Sequence, residues 1–131
     1  MGAARLVRRG EMTRVLVIDG YEESRNAAAH ALRVAGYDVA AVEEEEEALA
    51  ELAEGGADIV LLDLPLAEAE EAADAIRTAT AGAQSPSVFA LVDPSSSRQA
   101  RENGHTSGID FFFLRPCPPA EIVKHLRRMR R

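Results

Sequence analysis

VLVIDGYEESRNAAAHALRVAG, residues 15–36, decides the fold. Its first five residues form an apolar run that ends in an acid, the pattern of a strand buried on both faces of a parallel sheet. Good helix formers follow from Glu22 to Ala35, with Ala28, Leu32 and Ala35 at helical spacing, and Gly36 stops the helix. The unit then repeats. YDVAAV (37–42) reads as strand and EEEEALAELAEG (44–55) as helix; DIVLLD (58–63) as strand and EAEEAADAIRTAT (68–80) as helix. SVFALV (87–92) reads as strand with a short helix somewhere in 95–104, FFFL (111–114) as strand, and PAEIVKHLRRMR (119–130) as the last helix. Five strands alternating with five helices predict right-handed crossovers and a parallel sheet covered on both faces, a doubly wound α/β fold. In such sheets chemistry collects at the carboxyl ends of the strands, where strand order reverses. That rule points to Asp19, Asp63, Val92 and Arg115.

A chain of 131 residues has room for one core. Its 47% hydrophobic and 28% charged residues are a globular balance. Residues 1–13 read as a flexible leader, with Met12 an alternative start, and 14–131 as the domain. No apolar run approaches the roughly 20 residues that span a bilayer, and the opening MGAARLVRRGEM leads into no apolar segment, so neither signal peptide nor membrane anchor is expected. The single cysteine, Cys117, cannot form an internal disulfide and belongs to no ligand cluster, which suits a reducing, cytoplasmic setting. It reads as a packing residue.

The net charge of −7 is unevenly spread: fourteen acids and no base lie between Arg33 and Arg77, whereas Lys124 to Arg131 hold five cations and no acid. An acidic body argues against nucleic acid, and the tail KHLRRMRR reads better as a helix end, where cations suit the dipole. The run Glu43–Glu47 reads as the acidic first turn of the second helix rather than a metal site. His30, His105 and His125 have no spacing to a second ligand or a nucleophile, and neither a GxGxxG turn nor a Walker-type lysine loop is present, so nucleotide binding is not indicated.

VLVIDGYEESR is similar to the first strand and acidic turn of receiver domains of bacterial response regulators. DIVLLDLPL resembles their phosphoacceptor strand and loop, and GIDFFFLRPCPPAEI the stretch around their Lys-Pro. GYDV and EEALAEL fall where that family has its second strand and helix, so the resemblance covers residues 14–130. It implies a flavodoxin-like, CheY-like five-stranded parallel sheet of order 2-1-3-4-5. It also implies phosphorelay signalling: Asp63 as phosphoacceptor from a sensor histidine kinase, and Mg²⁺ held by Asp19, Asp63 and the backbone carbonyl of Pro65. Arg115 stands in the lysine's place as the phosphate-contacting cation, and the switch positions are Val92 and Phe112. The Arg115-Pro116 bond is expected to be cis, as X-Pro bonds alone adopt that form cheaply.

Departures from the pattern define an atypical member. Gly20 replaces the second metal acid, so magnesium should bind weakly or not at all, leaving Arg115 to reach toward Asp19 and Asp63 as resident counter-ion. Val92, followed by Asp93, replaces a hydroxyl residue. Phe112 lacks a tyrosine hydroxyl, and Ala67 and Glu71 replace the proline and glycine of the loop after Asp63. An arginine fork differs in reach from a lysine ammonium. Asp19 and Asp63 can alternatively serve structure, capping a neighbouring helix or pairing with Arg115.

Three functions stay open at this point. The leading one is an atypical receiver that takes phosphate weakly on Asp63, or signals through its fourth helix, fifth strand and fifth helix to another signalling protein. Its only enzymatic capacity would be self-phosphorylation and dephosphorylation. The second is a pseudo-receiver, a phosphorylation-independent interaction module. The third is a small flavodoxin-like enzyme, which no nucleophile and base pair supports. A homodimer is a further option.

Overall fold

The computed structural model describes residues 12–129, apart from the side chains of residues 104–106. Residues 1–11 of the expected leader lie outside the described residues, as do Arg130 and Arg131. Thr13 already belongs to the frame, since its carbonyl accepts the Asp38 N–H at 3.0 Å.

The chain alternates β1 (Arg14–Asp19), α1 (Glu22–Val34), β2 (Asp38–Val42), α2 (Glu45–Gly55), β3 (Ile59–Asp63) and α3 (Leu66–Ala79). It continues with β4 (Ser87–Val92), a 3₁₀ turn (Pro94–Ser96), α4 (Ser97–Ser107), β5 (Phe111–Leu114) and α5 (Pro119–Met129). All strand pairs are parallel, in the order β2-β1-β3-β4-β5. The doubly wound fold and its flavodoxin-like order are therefore as expected. The helix between β4 and β5 is longer than its sequence suggested, because α4 runs on to Ser107 after the 3₁₀ turn.

The apolar runs need no polar alternation because each strand feeds two cores. Val15 and Val17 point to one face of the sheet, with Leu61, Phe89 and Leu91, against Leu32 of α1 and Ile122 and Leu126 of α5. Leu16 and Ile18 point to the other, with Val60, Leu62 and Val88, against Ala48 of α2 and Ala72, Ala73 and Ile76 of α3. The period of two along a strand divides one continuous hydrophobic run between two helical layers. Alanines at the α3 contact let that helix lie close to the sheet.

Helix ends follow from local chemistry. Gly36, at φ +101°, closes α1 with the Gly36 N–H on the Arg33 carbonyl and the Tyr37 N–H on the Leu32 carbonyl, both at 3.0 Å. These are the paired bonds of a Schellman motif, which favours glycine because its backbone is left-handed there. The glutamate run opens α2 through a capping box, with Glu47 Oε1 accepting the backbone N–H groups of Glu43 and Glu44. At the far end of the sheet, Arg77 of α3 donates to the Gly108 and Pro86 carbonyls and pairs with Asp110, tying α3 to the start of β5. Among the described residues no helix is long and apolar enough to cross a membrane.

Candidate functional site

The strand order reverses between β1 and β3, and their last residues, Asp19 and Asp63, are register partners. Two carboxylates thus sit side by side at the carboxyl edge of the sheet. They meet different surroundings. Asp19 is only 1% exposed, and the start of α1 satisfies its carboxylate: the Tyr21 N–H donates to Oδ1 at 2.9 Å and the Ser24 hydroxyl to Oδ2 at 2.6 Å. Arg25 donates to the Asp19 backbone carbonyl at 2.9 Å. Asp63 is half-buried and opens into a cleft of about 480 Å³ lined by Tyr21, Ser24, Leu64, Pro65, Asp93 and Arg115.

Arg115 follows β5 directly, and its own N–H is pinned to the Val92 carbonyl of β4 at 2.8 Å. From that anchor its guanidinium crosses to β3. Nη2 lies 2.6 Å and Nε 3.2 Å from Asp63 Oδ1, and Nη2 also donates to the Leu64 carbonyl at 3.2 Å. Nη1 turns the other way, 3.3 Å from Asp93 Oδ1. The expected reach toward the acids is therefore half right: Arg115 pairs with Asp63, but its second acid is Asp93, while hydroxyl and amide donors hold Asp19. The Arg115-Pro116 peptide is cis, as expected.

Burial raises the Asp63 pKa above the ordinary carboxylate value; the Arg115 hydrogen bond pulls it back, and the charge of Asp19 adds to the rise. Arg115 is itself partly desolvated, which works against its charge, yet Asp63 and then Asp93 raise its pKa on balance. It is a permanent cation between two acids.

The two residues expected as switch positions lie in β4 and β5. Val92 ends β4, 2% exposed and without a hydroxyl, and Phe112 is half-buried against the α3 side of the sheet. On the other side of β5, Phe111 stacks on His125 of α5 with ring centroids 4.4 Å apart. Phe111 and Leu114 are exposed, beside a groove of about 310 Å³ whose rim carries Glu121, Lys124 and Arg128. Cys117 is half-buried against the α1/α5 core, and burial, with the charge of Glu121, raises its thiol pKa.

Most of the oxygens expected to hold Mg²⁺ already have partners within the protein. Both oxygens of Asp19 already accept bonds, and Oδ1 of Asp63 faces a guanidinium. The Pro65 carbonyl accepts the Ala69 N–H at 2.8 Å in the first turn of α3, and Gly20 offers no carboxylate. Magnesium needs near-octahedral oxygens and sheds water reluctantly. Among the described residues no group of three or more His, Cys, Asp or Glu side chains is placed to hold a metal.

A family model for the response regulator receiver domain matches residues 15–127. The chain belongs to that family. This receiver is 29% identical over 122 residues to the transcriptional regulatory protein TrcR of Mycobacterium tuberculosis, and 30% identical over 120 residues to the sensory transduction protein RegX3 of Mycolicibacterium smegmatis. Those alignments cover 93% and 92% of this chain but 47% and 51% of the relatives, so the chain spans about half their length. Among solved structures it is similar to the chemotaxis response regulator CheY4 of Vibrio cholerae, with a TM-score of 0.74 and 25% identity over 89% of this chain and 98% of that one. It is a receiver domain of two-component signalling.

Sequence reasoning had named Asp19, Asp63, Pro65, Val92 and Arg115, and the fold brings them to one edge. It had not named Tyr21 and Ser24 as partners of Asp19, nor Asp93 as the second partner of Arg115. The available signals were a hydroxyl five residues after a strand-end acid, in the first turn of a helix, and an acid directly after the fourth strand.

Proposed function

We propose that this receiver works as an atypical phosphorelay domain in the cytoplasm, in which Asp63 accepts a phosphoryl group slowly from a sensor histidine kinase. The observation that carries the reading is the position of Asp63: at the end of β3, beside the strand reversal, open to a cleft large enough for a phosphoryl donor. In the transfer, a carboxylate oxygen of Asp63 attacks phosphorus, the P–N bond of the phosphohistidine breaks, and the leaving imidazole takes a proton while an acyl phosphate forms. Arg115 would stabilise charge on the equatorial oxygens. Magnesium is at most weakly held. The output surface is the α4–β5–α5 face with its exposed Phe111 and Leu114, offered to another signalling protein or to a second copy.

A second reading, a phosphorylation-independent interaction module, draws support from Gly20 and from the engagement of Asp63 by Arg115. The two separate on incubation with phosphoramidate or acetyl phosphate in Mg²⁺ buffer. The first requires a gain of one phosphoryl mass that Asp63→Asn abolishes; an unchanged mass assigns the chain to the second.

A further inference from the structure

We propose that Arg115, braced by Asp93, is the built-in cation of the strand-end pocket and takes the electrostatic place of a divalent ion. The inference stands whether or not Asp63 is phosphorylated, so its failure and that of the preceding reading are separable.

A receiver-type pocket gathers carboxylates at the ends of neighbouring strands, and such a group needs a positive charge to be tolerated at the edge of a hydrophobic sheet. Here the guanidinium supplies it from within. Two of its nitrogens converge on one oxygen, Asp63 Oδ1, and the same Nη2 takes the Leu64 carbonyl. The remaining nitrogen is drawn off by Asp93, so the plane of the guanidinium spans the ends of β3 and β4 from a residue that follows β5. A single side chain thereby ties three strand ends together. A lysine ammonium, a point charge, could not keep both acids and a carbonyl in this planar arrangement.

Asp93 stands directly after β4 and is the more exposed of the two partners, 60% against 24% for the side chain of Asp63. Its role is positioning: it holds the far edge of the guanidinium so that the near edge stays on Asp63 Oδ1. Asp19 needs no share of that charge because the Tyr21 N–H and the Ser24 hydroxyl already satisfy it. An arriving Mg²⁺ would bind lone pairs of the same carboxylates and bring its charge against the guanidinium already seated on Asp63 Oδ1. Arg115 and a dication therefore compete for one place.

Mg²⁺ titration of the full chain, followed by amide resonances of residues 19–21 and 63–65, tests the competition. The wild type should show no saturable shift through millimolar Mg²⁺, whereas Arg115→Ala should bind with affinity raised by at least about tenfold. Bulk-water screening alone sets that bound for removing a unit charge roughly 5 Å from a dication. If Arg115→Ala does not fold, Arg115→Gln, which keeps a planar donor without charge, replaces it with the same expectation. Equal affinity in wild type and variant, no binding in both included, overturns the proposal. The positioning role of Asp93 has its own readout: Asp93→Asn should speed solvent exchange of the Arg115 Nε–H and Asp93→Glu should restore it, while exchange unchanged in Asp93→Asn overturns that part.

Discussion

Arg115 Nη2 lies 2.6 Å from Asp63 Oδ1, the shortest reach of a guanidinium that also touches Asp93 and the Leu64 carbonyl. The proposed phosphoacceptor is thus already held by the protein's own cation. Much of the behaviour of this receiver follows from that pair and its neighbour Asp19.

The first consequence concerns pH. The Asp63 pKa is raised in the fold, by burial before all else, so the folded state favours its neutral form more than the unfolded chain does. A group raised in this way contributes stability below its unfolded value of about 3.8 and loses that contribution as pH climbs through the folded value. At neutral pH the ionised carboxylate is therefore a net cost. Asp63→Asn keeps an oxygen for Arg115 and removes the charge beside Asp19, and should raise Tm at pH 7. The gain should shrink toward pH 3. Melting curves across that range check the sign; a variant less stable than wild type at pH 7 contradicts it.

Asp19 gives a cleaner stability test. Its buried carboxylate takes a 2.6 Å bond from the Ser24 hydroxyl, and Ser24→Ala removes that donor without opening a large void. Ser24 is itself exposed, so water replaces part of the lost donor and the bond is worth about 0.5–1.5 kcal/mol. Urea unfolding of Ser24→Ala should show a loss in that range.

At the opposite end of the sheet, Arg77 holds the carbonyls of Gly108 and Pro86 as well as the half-exposed Asp110. The ion pair with Asp110 is screened and adds little. The carbonyl bonds matter more, because they fix the entry to β5. Arg77→Ala should cost about 2 kcal/mol in the same assay, whereas Asp110→Asn should cost clearly less.

How much of this was legible in the sequence depends on what kind of fact each residue carries. Strands such as VLVID and SVFALV were readable because two-sided burial leaves an uninterrupted apolar run, and Gly36 marked a helix end because left-handed backbone favours glycine there. The length of α4 was not readable: SRQARENGHTS is polar, and Ala100 is its one fully buried apolar side chain among those described, too little to set a period. Asp19 and Asp63 were found because strand ends beside the reversal of order are fixed by topology. Asp93 escaped as the second partner of Arg115 because that pairing depends on how a long side chain lies across β4, which no spacing encodes.

Gly20 is open to repair. A Cβ at this position would meet nothing within 4 Å, and its φ lies outside the left-handed range, so an acid fits without strain. Gly20→Asp should fold like wild type, bind Mg²⁺ more tightly in isothermal titration, and take phosphoryl groups from small donors faster if the ion is the limiting defect. Equal Mg²⁺ affinity in the two proteins would show that the missing acid is not what weakens the site.

The central claim is that Asp63 is a slow phosphoacceptor. Its most direct test is intact-mass analysis of the full chain after prolonged incubation with phosphoramidate, followed by borohydride trapping, which reduces an acyl phosphate on aspartate to homoserine. The account predicts a partial gain of one phosphoryl group in the wild type, homoserine at position 63, and no gain in Asp63→Asn. A wild-type mass that never changes, or an adduct that survives Asp63→Asn, would contradict it.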